Sequence, residues 1–249
     1  MNANTKLDLQ IQMACAWFGP ICILGYLVFW GILGHNIPPP TPGWSAEELM
    51  ANYFAPYHSE ILAGMVGCAV VGILYVPWVA ELCALMRRKE HESPVLANIQ
   101  LLGGGITAWL LAMCPAMWAL AAWYNTSNPM LTDMLWRMAW FIYMLTYMIT
   151  TVEMVACGVY TLIDKSKEPI FPPWAGWIAI FCGLTFVVDS TVPYFGHGPF
   201  ALNGLIDFYV TFTCWLIWFA IYSYLMIAYL SRELKEVPGS AGQLAGRPA

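Results

Sequence analysis

Residues 96–123 read LANIQLLGGGITAWLLAMCPAMWALAAW, an apolar run without a single Asp, Glu, Lys or Arg. A helix needs about 20 such residues to cross a bilayer, and this run is longer. In hydrocarbon every backbone N–H and C=O must find its partner within the segment, so the run is expected to be helical. Five further stretches share its character, over 11–34, 59–86, 133–163, 171–192 and 203–230. They are continuous and do not alternate, which excludes a β-barrel. Of the 249 residues 60% are hydrophobic and only 10% charged, against roughly 25% charged in a soluble domain. Mean hydropathy is +0.62. With a net charge of −5 and few basic residues, the chain fits neither a nucleic-acid binder nor a disordered protein. The expectation is an all-α membrane protein, a six-transmembrane-helix bundle with a short outer amphipathic helix. It forms one domain over 1–234, with a disordered cytoplasmic tail over 235–249.

Lys and Arg orient the bundle. With the N-terminus inside, Lys6, Arg87, Arg88, Lys89, Lys165, Lys167, Arg232, Lys235 and Arg247 all fall on the cytoplasmic side, and only Arg137 falls outside. Such a bias is the positive-inside signature, and an even span count puts both termini in the cytoplasm of a cell-membrane protein. The first span has no basic flank beyond Lys6 and no small-residue cleavage site, so it reads as a retained helix and not a signal peptide. Cys15, Cys22, Cys68, Cys83, Cys114, Cys157, Cys182 and Cys214 all lie inside spans, with no CxxC pair. They read as small packing residues.

The connection between the first two spans is the longest. Pro38, Pro39, Pro40 and Pro42 stiffen its start, and Ser45 with Glu48 has the spacing of a capping box. Ala46, Leu49, Met50, Tyr53, Phe54 and Tyr57 then recur at three- and four-residue steps. This predicts a short amphipathic helix, either lying on the outer membrane surface or packed on the bundle as a lid. Small residues form stripes at Gly104, Ala108, Ala112 and Ala116, and at Gly64, Cys68 and Gly72, two faces expected to pack closely against each other or against a dimer partner. The run Gly103–Gly105 lacks the lysine of a phosphate loop. Trp44, Trp123, Tyr124, Trp136, Trp174 and Trp177 sit near span ends, as an interfacial aromatic belt does.

The polar residues of the fourth span carry most of the functional signal. Tyr143, Thr146, Thr150, Glu153, Cys157, Tyr160 and Asp164 alternate at steps of three and four, which aligns them on one face. Glu153 lies near mid-membrane with no Lys or Arg at its depth. A charged side chain there is costly, so a neutral Glu153 held by Thr and Tyr hydroxyls is the expected state. It is either a proton carrier, cation ligand or general acid, or a protonated group that merely bonds a neighbouring helix.

A second group gathers on the outer face: His35, His58, Glu60, Asp189, His197, Asn203 and Asp207. His35, His58, Glu60 and His197 are candidate metal ligands, though their spacing matches no signature. Asp189 and Asp207 are candidates for an outward-opening polar vestibule. Asp133 and Arg137 are spaced as a helical ion pair, and Glu81 is expected to reach towards Arg87 and Arg88. His91 reads as solvated. No lysine lies within a span to carry retinal, no histidine lies at mid-depth to hold a haem, and no repeat relates the two halves. No cofactor is assigned.

Three functions fit these residues. The first is binding or transport of a small lipophilic or cationic molecule, proton-linked through Glu153 with Thr150, Thr146, Tyr143, Asp207 and Asp189. The second is a membrane enzyme acting on an apolar substrate, through a His/carboxylate metal site or through acid catalysis by Glu153 and Asp207. The third is a non-catalytic subunit of a membrane complex. The bilayer is the common partner, with a homo-oligomer or complex partner compatible with the small-residue stripes.

Overall fold

The computed structural model describes residues 3–89, 94–124 and 127–236, with side chains from residue 6 onward. Every regular element among them is helical. Helix α1 (Ala3–Tyr26) continues as a π-helix over Leu27–Leu33. A short α2 (Ala46–Leu49) passes through a π-helical turn, Met50–Phe54, into α3 (Ala55–Gly72), and α4 (Tyr75–Arg87) comes next. Then come α5 (Val95–Tyr124), α6 (Pro129–Thr146) and α7 (Met148–Ile163). Helix α8 (Pro173–Thr185) leads to a 3-10 helix at Val188–Tyr194, and a π-helix at Leu205–Val210 opens α9 (Thr211–Glu236). Together they make six helices long and apolar enough to cross a membrane: Lys6–Leu33, Ala46–Arg87, Val95–Tyr124, Pro129–Ile163, Pro173–Tyr194 and Leu205–Glu236. The protein is a multi-pass membrane protein in contact with a lipid bilayer. Residues 237–249 of the expected tail, and His91, lie outside the described residues.

The second span starts earlier than its apolar run suggests, because the amphipathic helix flows directly into it. Ser45 caps α2: its Oγ accepts from the Glu48 N–H at 3.2 Å, and Glu48 Oε2 accepts from the Ser45 N–H at 2.8 Å. Leu49, Met50, Tyr53 and Phe54 are buried, so of the two expected placements the segment takes the lid. Tyr53 Oη fastens it to the first span by donating to the Gly34 carbonyl at 2.6 Å. Lower down, α3 and α4 are separated at Ile73 and Leu74. Pro77 accounts for this break, since its ring opposes the carbonyl four residues back and supplies no N–H.

Glycines set the helix spacing. A Cβ at Gly72 would stand 2.5 Å from the Leu111 carbonyl of α5, and one at Gly64 would stand 2.5 Å from the Phe29 carbonyl of the first span. That stripe therefore serves two neighbours. Only the N-terminal part of the Gly104–Ala116 stripe is buried, since Ala112 is half-buried and Ala116 exposed. All eight cysteines are free thiols, Cys15 partly exposed and the others buried. Trp123, Trp174 and Trp177 are exposed like belt residues, whereas Trp136 is 1% exposed. It shares an inward face of α6 with Trp140 and Tyr143 at helical spacing.

The basic side chains gather at one end. There Arg88 donates to Glu233 at 2.7 Å and also bonds Gln12, while Arg87 donates to Asn98 at 2.5 Å. Glu81 lies near enough to Arg88 to interact electrostatically, but no hydrogen bond or salt bridge joins the two among the described residues. It is 4% exposed, and its Oε1 has no partner among the described residues. Seven residues separate it from Arg88, about 10 Å of helix rise, and Glu233 is the carboxylate that Arg88 bonds.

Candidate functional site

Two polar centres lie inside the apolar bundle, at different levels. Glu153, on α7, forms the first. It is fully buried, and the Tyr75 hydroxyl of α4 faces both its oxygens, 3.2 Å from Oε1 and 3.1 Å from Oε2. Gln100 Nε2 of α5 approaches Oε1 at 3.5 Å. One turn away Thr150 and Thr107 join hydroxyls at 2.8 Å, and Thr107 also donates to the Gly103 carbonyl at 3.0 Å. The missing side chains of Gly103 and Gly104 make this possible, since a Cβ on Gly104 would lie 2.6 Å from Glu153 Oε1. The carboxyl is thus enclosed between three helices and bonded where it stands.

The second centre is built where helical geometry gives way. Asp189 lies in the 3-10 helix after α8, and Asp207 lies in the π-helix before α9. Their side chains are close enough to interact directly. Asp189 is 1% exposed and Asp207 fully buried, yet Asp189 Oδ1 and both oxygens of Asp207 lack a hydrogen-bond partner among the described residues. They border a cavity of about 20 Å³ walled by the aromatic rings of Trp30, Tyr143, Tyr147, Phe208 and Trp215, with Thr211 beside them. That volume suits one water molecule or a small cation and is far below the roughly 300–1,000 Å³ of an organic-ligand pocket.

Several spans depart from α-helix at this cavity. Trp30 comes from the π-helix of the first span, and Tyr147 stands at the junction of α6 and α7. Pro193 helps hold the fifth span in its 3-10 form, because it has no N–H to offer the Asp189 carbonyl four residues earlier. Irregular turns of this kind free backbone carbonyls inside a membrane only where protein or a water-filled cavity can receive them, and π-turns recur at functional sites.

The junction at Tyr147 also revises the polar stripe of the fourth span. The Tyr147 N–H bonds the Met144 carbonyl three residues back, which tightens the helix and rotates α7 about its axis relative to α6. Tyr143, Thr150 and Glu153 therefore face inward as expected, but Thr146 is exposed and turns its hydroxyl onto the Ile142 carbonyl at 2.6 Å. Tyr147 takes the inward place, its ring edge-on to Tyr143 at 4.6 Å. Thr146 is not part of the site. Nor do the two centres share one cavity, since Glu153 is not among the residues lining the space beside Asp207.

The expected metal ligands do not assemble. His35 Nε2 pairs with Glu60 Oε2 at 2.6 Å, its ring stacked on Tyr57 at 3.9 Å. His58 is half-buried and His197 exposed, and no group of three His, Cys, Asp or Glu suited to a metal exists among the described residues. Two positions apart on a helix, His58 and Glu60 point about 200° away from each other. Arg137 pairs with Asp133 as its spacing implies, Nε to Oδ1 at 2.8 Å. It further donates to the Pro42 carbonyl at 2.8 Å and the Trp44 carbonyl at 2.6 Å, clamping the loop before α2. Sequence reasoning missed this second role, along with Trp30 and Tyr147. Tyr147 lies one helical turn beyond Tyr143, which is the signal that marks it.

Comparison of the chain with protein-family models, with curated proteins and with solved structures finds no match.

Proposed function

We propose that this membrane protein binds and carries a small cation, a proton or a single monovalent metal ion, between Asp189 and Asp207. One observation carries the reading: two neighbouring carboxyls are buried with unpartnered oxygens in a cavity sized for one water or ion. Two ionised carboxylates side by side away from water repel each other and lack solvation, so a proton or a cation between them is required. The aromatic rings around them can stabilise a positive charge through their π-systems. Both acids stand on broken helical turns, as ion-binding residues of carriers do. A lipophilic organic molecule is a poor match to a cavity of about 20 Å³. Glu153 has a different role here, that of an internal tie between α4, α5 and α7. The basic end, by the positive-inside rule, faces the cytoplasm of a cell membrane, and the acid pair then lies towards the outer side.

Purified protein in sealed vesicles tests this with imposed H⁺, Na⁺ or K⁺ gradients and ion-sensitive dyes. At least one ion should move faster than through protein-free vesicles. Asp189→Asn combined with Asp207→Asn should slow it by at least about thirtyfold, the scale of removing partners from a buried charge site. Glu153→Gln should keep the flux. Wild-type flux in the double variant, or no flux of any of the three ions in the native protein, overturns the proposal.

A further inference from the structure

At the basic end of the bundle a separate cleft of about 490 Å³ opens between the ends of the second and fourth spans. Arg88 and Lys89 line it from the end of α4, and Tyr160, Ile163, Lys165 and Ser166 line it from the end of α7. Its chemistry is that of an amphiphile site. Among the described residues, three cationic side chains face one acid on the wall, Asp164, a balance of +2 that falls to +1 once Glu233 is counted against Arg88. Lys89 and Lys165 carry the surplus, as no salt bridge holds either among the described residues. Asp164 Oδ1 accepts from the Ser166 backbone N–H at 2.9 Å, while Asp164 Oδ2 and the Ser166 hydroxyl, a donor on the lining of the cleft, are buried without a partner among the described residues. On the lipid side Ile163 is 57% exposed and supplies an apolar flank.

We propose that this cleft holds the phosphate of an anionic lipid headgroup, with Lys89, Lys165 and the Ser166 hydroxyl receiving its oxygens and the acyl chains lying along Ile163. The required chemistry is a phosphate anion. Its source is taken to be a lipid because the cleft lies at a membrane boundary, combines cations with an exposed apolar wall, and belongs to an end that also carries Lys6, Arg87, Lys167, Arg232 and Lys235. Basic pockets between membrane helices recognise headgroups in this way. The inference is independent of the acid pair.

The test is retention of lipid by the full-length protein in detergent, read by native mass spectrometry after mixing with phosphatidylglycerol, with phosphatidylcholine or with inorganic phosphate. The native protein should keep phosphatidylglycerol in preference to phosphatidylcholine. Lys89→Gln with Lys165→Gln should weaken that retention roughly thirtyfold, at the usual worth of a basic residue near an anionic headgroup. Lys6→Gln with Lys167→Gln removes the same charge from the same end outside the cleft and should leave it unchanged. Equal losses in both double variants would mean bulk attraction only and overturn the proposal. So would equal retention of the two lipids, or retention of inorganic phosphate with no preference for phosphatidylglycerol, which reassigns the cleft to free phosphate.

Discussion

Glu153 and the Asp189–Asp207 pair are all acids inside an apolar bundle, and their surroundings separate their roles. Tyr75 and Gln100 donate to Glu153, and α5 presses its glycines against the carboxyl. Glu153→Gln keeps size and most hydrogen-bonding capacity, so thermal unfolding in detergent should stay near the native midpoint. Glu153→Ala strands the Tyr75 hydroxyl and leaves a void, and it should cost about 2–5 kcal/mol by the same measurement. Thr146→Val, on the lipid face, should change stability by less than about 0.5 kcal/mol. The burial of Glu153 was legible from the stripe on its own helix. Its partners were not, because Tyr75 lies 78 positions away and Gln100 lies 53 away, and periodicity within one helix says nothing about which neighbour faces it.

Among the elements, the breaks divide into those that proline explains and those that only packing explains. Pro77 and Pro193 mark interruptions, although Pro20 and Pro115 lie inside α1 and α5 without ending either helix. The π-turns at Leu27–Leu33 and Leu205–Val210 and the tightened turn at Tyr147 have no such marker. Bulky rings crowd the same region, Trp30 against Phe212 at 5.0 Å and Tyr143 against Tyr147 at 4.6 Å among them. The tightened turn at Tyr147 is why the continuous stripe foreseen for the fourth span is offset at Thr146. If the 3-10 form of the fifth span positions Asp189, Pro193→Ala should reduce ion flux by restoring an N–H that can engage the Asp189 carbonyl. Pro77→Ala, whose break does not border the acid pair, should leave flux unaltered. Equal flux in both variants would show that helix form at Asp189 is immaterial.

At the level of the whole molecule, span number and the basic end were written plainly in hydropathy and charge. The packing of the segment before the second span was not, since surface and lid placement demand the same amphipathic pattern. Arg137 is central to its fixation, joining Asp133 to the Pro42 and Trp44 carbonyls. Arg137→Ala should therefore speed proteolytic cutting between residues 38 and 45 without altering digestion at the basic end, as mapped on intact vesicles. The second span runs for 42 residues but is no single straight rod, because Tyr57 (φ −118°, ψ 16°) kinks it and Ile73–Leu74 break it. The part before the kink, with Leu49, Met50, Tyr53 and Phe54 buried, folds onto the bundle as a shoulder. An antibody fragment raised against the folded protein should find its footing on that shoulder, since it offers the broadest relief from the membrane plane.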